Sequence, residues 1–191
     1  MTVPAVRRQA RPVRETACMS GNWIAPTPAT PDGPLSGPDR PILESYLRWQ
    51  RATLVNICAG LNGEQLAARP VASSRLSLLG LVRHMAKVER IWFRHRAGGE
   101  DVPPVYDLAL GKDHDFEALD PAQAPEAFER LHAEWDAADA AAAPLDFDHV
   151  IEVHGEPCSL RMIYVHMIGE YARHNGHADL LREAIDGVTA R

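Results

Sequence analysis

From Pro41 onward, apolar residues recur three and four positions apart: Leu43, Leu47, Leu54, Ile57, Cys58 and Leu61. That is the period of a helix with one inward stripe. Pro41 suits a first turn, and Gly63 is the expected stop. Gln50 interrupts the stripe, so it lies at the edge of the seam or faces an internal polar site. A second helix is predicted from Ser77, a good N-cap, to about Arg96. Leu81, His84, Val88, Ile91 and Trp92 share one of its faces, and Gly98-Gly99 follow its end. A third runs from about Pro125 to Ala142, with Phe128, Leu131, Trp135 and Ala138 inward. The last begins behind Ser159 and stops near Gly187, after about Ile185.

The connections carry no such period. Residues 98–124 are acidic and irregular, with Pro103-Pro104 and the run Lys112-Asp113-His114-Asp115. A segment of this length in a compact domain serves as a lid or a partner surface. Residues 147–158 alternate in part and turn at His154-Gly155, which predicts a short hairpin-like link. The first 38 residues hold seven prolines and four arginines without periodic apolar positions, as expected of a flexible extension. The fold class predicted is all-α: a four-helix bundle over 39–187 with long connections, preceded by the extension 1–38.

Composition removes several functions. The chain has 191 residues, 46% hydrophobic and 24% charged, with a formal net charge of −6. A nucleic-acid binder normally presents a basic face, so no nucleic-acid partner is expected. No apolar run approaches the roughly 20 residues of a membrane span, and the N-terminal arginines precede no signal-like apolar stretch. Cys18, Cys58 and Cys158 are odd in number and form no CxxC pair. A reducing cytoplasm is therefore the expected setting, with Cys58 packed in a helix interface.

The last helix carries the candidate chemistry. Its segment 170–177 reads EYARHNGH. At about 100° per residue, His166, Glu170, His174 and His177 fall within an arc of roughly 80°. The apolar residues Ile163 and Leu181 fall within this arc, and Met167, Ala178 and Tyr171 border it, so the stripe points at least partly inward. A buried carboxylate among imidazoles is costly unless paired or bound to a cation. Glu170 and His174, four apart, converge on one point, as chelation requires. His84 occupies a core position on the second helix and is the candidate third donor. Two imidazoles and one carboxylate leave coordination positions open, the layout of a catalytic rather than a closed structural site. Zinc is the expected ion, with nickel and iron compatible with the same donors. His177 is open to three roles: a supporting group, an alternative ligand, or a catalytic base. His166 is expected to support Glu170 or the helix cap, and His95 to lie near the rim. His114, His132, His149 and His154 read as surface or loop residues.

The segments SLLGLVRHMAKVERIWF (77–93) and HMIGEYARHNGHADLLREAIDG (166–187), with WQRATLV (49–55), resemble the DinB-like superfamily of metal-binding four-helix bundles. They are most similar to its actinobacterial branch of "mini-circle" proteins. The resemblance implies a divalent metal held by His84 and by the last helix's HxxxH pair, whose first histidine is here replaced by Glu170 and whose second is His174. The mycothiol-dependent maleylpyruvate isomerases look similar in carrying ExxxH at that place. By the same resemblance, His177 falls where relatives often have glutamine or histidine. A low-molecular-weight thiol such as mycothiol, a small electrophilic substrate and a homodimer are what the likeness implies. Two functions remain open: a metal-dependent thiol S-transferase or isomerase, and a non-enzymatic metal-binding or scaffold module.

Overall fold

The computed structural model describes residues 23–106, 111 and 113–189. In chain order these form α1 (Asp39–Cys58), α2 (Gly63–Ala67), α3 (Leu78–Glu89), α4 (Ala124–Ala142), the strands β1 (Val150–Val153) and β2 (Glu156–Ser159), and α5 (Leu160–Asp186). The all-α prediction holds. The long helices surround a core that includes Leu47, Leu54, Leu78, Leu81, Met85, Leu131, Met167 and Tyr171.

Local chemistry sets the helix ends. The Ser77 hydroxyl accepts the Gly80 amide at 3.0 Å, and the Ser159 hydroxyl accepts that of Met162 at 3.2 Å. Each satisfies one of the amides that a first turn leaves without a partner. Gly187 closes α5 in the left-handed conformation, φ 77°. The first helix differs from the prediction. It stops at Cys58, with Gly60 at φ 80°, and Gly63 instead begins α2. The reason is Asn62, whose side chain caps the Gln65 amide while the Gln65 side chain accepts the Asn62 amide.

A second difference lies beyond α3. The predicted α-helix to Arg96 becomes a π-helical segment over Arg90–Ala97. The Gly98 amide reaches back five residues to the Phe93 carbonyl at 2.8 Å. In this segment Arg90 and Arg94 both pair with the buried Glu134 carboxylate of α4, while Phe93 packs in the core against Tyr164. The apolar spacing of the sequence does not mark the change of winding.

The link before α5 is a two-stranded antiparallel hairpin, Val150↔Ser159 through Val153↔Glu156. Its two turn residues, His154 at φ 56° and Gly155 at φ 84°, both take the positive φ of a type I′ turn. Of the extension expected over 1–38, residues 1–22 lie outside the described residues. At Trp23 and Ala25 the chain lies against the bundle. Trp23 packs its ring 5.4 Å from that of Phe128, and Ala25 is buried, exchanging backbone hydrogen bonds with Gly60 and Leu61.

One polar network crosses the core. Arg51 of α1 donates through Nε and Nη2 to the two oxygens of Glu89 on α3, each at 2.8 Å. It also reaches Asp139 of α4 at 2.8 Å. The Tyr171 hydroxyl of α5 donates to Glu89 at 2.8 Å and accepts from the Trp135 indole of α4 at 2.7 Å. Burial works to lower the Arg51 pKa, but the Glu89 carboxylate overcomes it and holds the guanidinium charged. Burial first, then Glu89, keeps the Tyr171 hydroxyl protonated. Gln50 resolves as an inward residue: its carbonyl and its side-chain oxygen both accept from the Asn175 amide, at 3.0 and 2.8 Å.

Candidate metal centre and its surroundings

α3 and α5 present the site between them. His84 lies in the middle of α3, on a helix whose other faces are nearly all buried. Glu170 and His174 lie one turn apart on α5, with His174 Nε2 3.5 Å from Glu170 Oε2. The His84 and His174 rings meet edge to face at 4.8 Å between centroids. One donor atom from each of His84, Glu170 and His174 lies within 4.8 Å of the other two. The three residues that the sequence suggested therefore converge, although 86 positions separate His84 from Glu170.

The donors suit a divalent ion chemically. Burial, and next the neighbouring His84, pushes the His174 pKa down to about 4, so its ring is neutral near pH 7. A neutral imidazole is what metal ligation requires. A spread of 4.8 Å leaves the set a modest side-chain adjustment from the roughly 2.0–2.2 Å bonds that zinc makes to nitrogen and oxygen. The side chains of His84, Glu170 and His174 remain 18, 17 and 12% exposed, so the cluster opens toward solvent rather than being sealed.

The other candidates are placed less centrally. The His177 ring lies 5.5 Å from that of His174, and its Nδ1 is buried with no hydrogen-bond partner among the described residues. His166 does not support Glu170 by a hydrogen bond. Its ring packs on Trp92 at 4.1 Å, and burial lowers its pKa. His95 is exposed, as are His149 and His154. His132 is half-buried against Trp135, 4.8 Å between rings.

Sequence reasoning did not single out Asp115. It comes from a short 3₁₀ turn, His114–Phe116, in the irregular acidic segment. It is 1% exposed, and its Oδ2 lies 2.6 Å from His84 Nδ1 and 2.7 Å from Lys87 Nζ. Burial works to raise its pKa, but the bonds from His84 and Lys87 outweigh that and hold the carboxyl below its ordinary value. Phe116 stacks on His84 at 5.0 Å. A Cβ on Gly80 would come within 3.0 Å of the Phe116 ring. Gly80 thus makes room for that ring. The part of this segment around Asp115 packs on α3. The only sequence signal was the charge run at 112–115.

Cys58 is a poor candidate for chemistry here. Burial pushes the Cys58 thiol up to about 12, against a smaller lowering by Arg182. Cys58 should therefore stay unlabelled by a thiol reagent at pH 8 while the protein is folded, with half-buried Cys158 reacting first. Mass spectrometry of the labelled chain decides this, and equal labelling of Cys58 and Cys158 would contradict it.

A mostly helical fold with two imidazoles and a carboxylate converging between α3 and α5 agrees with the DinB-like class that the sequence resembles. The family model for mycothiol-S-transferase matches residues 42–187. The chain belongs to that family, whose name describes a transferase acting with a small thiol. No curated protein and no solved structure matches the chain significantly. Among the described residues, no helix is long and apolar enough to cross a membrane.

Proposed function

We propose that this chain is a divalent-metal-dependent thiol S-transferase, or an isomerase using the same thiol chemistry, built on residues 39–187. His84, Glu170 and His174 hold the ion, zinc by default, and mycothiol or a similar low-molecular-weight thiol is the co-substrate. The observation that carries the reading is the convergence of three donors within 4.8 Å at a solvent-reachable place between two helices. The family match supports the thiol.

An ion held by two imidazoles and one carboxylate supplies Lewis acidity, which favours thiolate over thiol near neutral pH. The chain's own residues do the rest. Glu170 offsets part of the ion's charge. His174, neutral near pH 7, offers a lone pair without first losing a proton. His177 accepts the thiol proton, since its ring stands beside that of His174 and its Nδ1 has no competing partner. A carbon–sulfur bond then forms between the thiol sulfur and a small electrophilic carbon substrate. Any leaving group departs with the electron pair of its broken bond.

A sealed cluster would favour the non-enzymatic metal-binding module instead, and the exposures of 12–18% argue against sealing. The test is consumption of a mycothiol-type thiol with a panel of small electrophiles by the zinc-reconstituted chain. The reading expects acceleration over the uncatalysed reaction that disappears in His174→Ala and falls about 10²–10⁴-fold in His177→Ala. No acceleration with any thiol, despite bound zinc, would leave the non-enzymatic module.

A further inference from the structure

We infer that Asp115 is a positioning residue for His84, fixing the ring with its proton on Nδ1 so that Nε2 is the atom offered to the cluster. This rests on the proposed metal-site reading for its functional meaning, but not for its geometry.

The argument begins with donor and acceptor chemistry. An ionised carboxylate can only accept hydrogen bonds. Asp115 Oδ2 lies 2.6 Å from His84 Nδ1, so Nδ1 must donate. In a neutral imidazole the other nitrogen then carries the free lone pair, and here that is Nε2. The choice matters because only the unprotonated nitrogen can ligate. In water the two tautomers coexist, and a site with no partner for Nδ1 would hold part of its rings the wrong way round.

The surroundings show a carboxylate held for that purpose rather than a surface acid folded in by chance. Lys87, one turn beyond His84 on the same helix, reaches the same Asp115 oxygen at 2.7 Å. Asp115 is 1% exposed, and an acid so buried persists only when it is paired. The turn that carries it is pinned from α3. Arg83 donates to the His114 and Glu117 carbonyls at 3.2 and 3.3 Å, on either side of Asp115. Phe116 covers the His84 ring, and Gly80 leaves the space that Phe116 takes. Two neighbouring residues of one turn thus fix the ring, one by its edge and one by its face. A carboxylate behind a ligating imidazole also raises its basicity, and removal of such a partner typically costs about 10–100-fold in metal affinity.

The experiment uses the full chain. The nitrogen shifts of the His84 ring are first recorded by NMR in metal-free protein, at a pH where the ring is neutral. Zinc affinity is then measured by chelator competition for the native chain, Asp115→Ala, Asp115→Asn and Asp113→Ala, the last an exposed neighbour. The inference expects the Nδ1-protonated tautomer in the native chain and a shift toward the other tautomer in Asp115→Ala. It expects zinc affinity about 10–100-fold weaker in Asp115→Ala, with Asp113→Ala unchanged. Asp115→Asn keeps an acceptor but not the charge, so it should hold the tautomer and lose only part of the affinity. An Nε2-protonated ring in the native chain would overturn the inference, whether or not the variants fold. So would an unchanged tautomer in a folded Asp115→Ala. If the native chain takes up no zinc while its ring is Nδ1-protonated, the metal-site reading fails and the Asp115 positioning stands.

Discussion

Glu89→Leu is expected to destabilise the folded chain by about 3–5 kcal/mol, because it leaves the Arg51 charge buried without its main partner. Both side chains are almost fully buried, at 3 and 0% exposed, so water cannot replace the lost bonds. The Tyr171 hydroxyl loses its acceptor in the same step. Asp139, half-exposed on α4, cannot compensate for a guanidinium that made two bonds to Glu89. Against a typical total of about 5–15 kcal/mol, such a loss leaves little margin. The double variant Arg51→Met/Glu89→Leu should recover most of it, since replacing both charges by apolar groups of similar size is often neutral or better. Urea denaturation of both single variants and the double decides the matter. Single losses near the roughly 0–1 kcal/mol of an exposed ion pair would show that this network does not hold the helices together.

The second large effect concerns the metal cluster. A ligand that binds only the folded state stabilises it by about 4 kcal/mol at a thousand times its dissociation constant. Zinc should therefore raise the unfolding temperature of the native chain by several degrees. His84→Ala, Glu170→Ala and His174→Ala should each abolish that rise, because two remaining donors make a poor site for zinc. His166→Ala should not, since its ring packs on Trp92 and is not one of the three converging donors. A rise that persists in His174→Ala would move the ion elsewhere on the chain. Differential scanning fluorimetry with and without zinc, at matched free ion, reads all five proteins.

How far the sequence could be read follows from what each residue must satisfy. The long helices were legible because their apolar positions keep helical spacing and because Ser77 and Ser159 stand where a first turn needs an acceptor. His84, Glu170 and His174 were legible for a related reason. They are polar residues on faces whose neighbours are buried, and ExxxH forces two of them together. Asp115 was not, because an aperiodic segment gives no face to assign, and its partner lies 31 positions away. Arg51 and Glu89 were missed differently. A charged residue on a helix reads as solvent-facing until its partner is known, and that partner is on another helix. Gly60 and Gly63 lie close enough for the spacing to suit either as the end of α1, and only the Asn62–Gln65 capping pair decides between them. The π-helical segment Arg90–Ala97 makes its contacts to Glu134 and Tyr164 on other helices, and the local apolar spacing does not mark its winding.

The central claim is that His84, Glu170 and His174 form one metal centre, and elemental analysis tests it most directly. The full chain and its three alanine variants would be loaded with zinc, freed of excess ion and analysed for bound metal per chain. The account predicts near-stoichiometric zinc in the native protein and little in each folded variant. Absence of zinc from the native chain, or retention of it by all three variants, would contradict the account and leave the convergence of these side chains as a hydrogen-bonded polar seam.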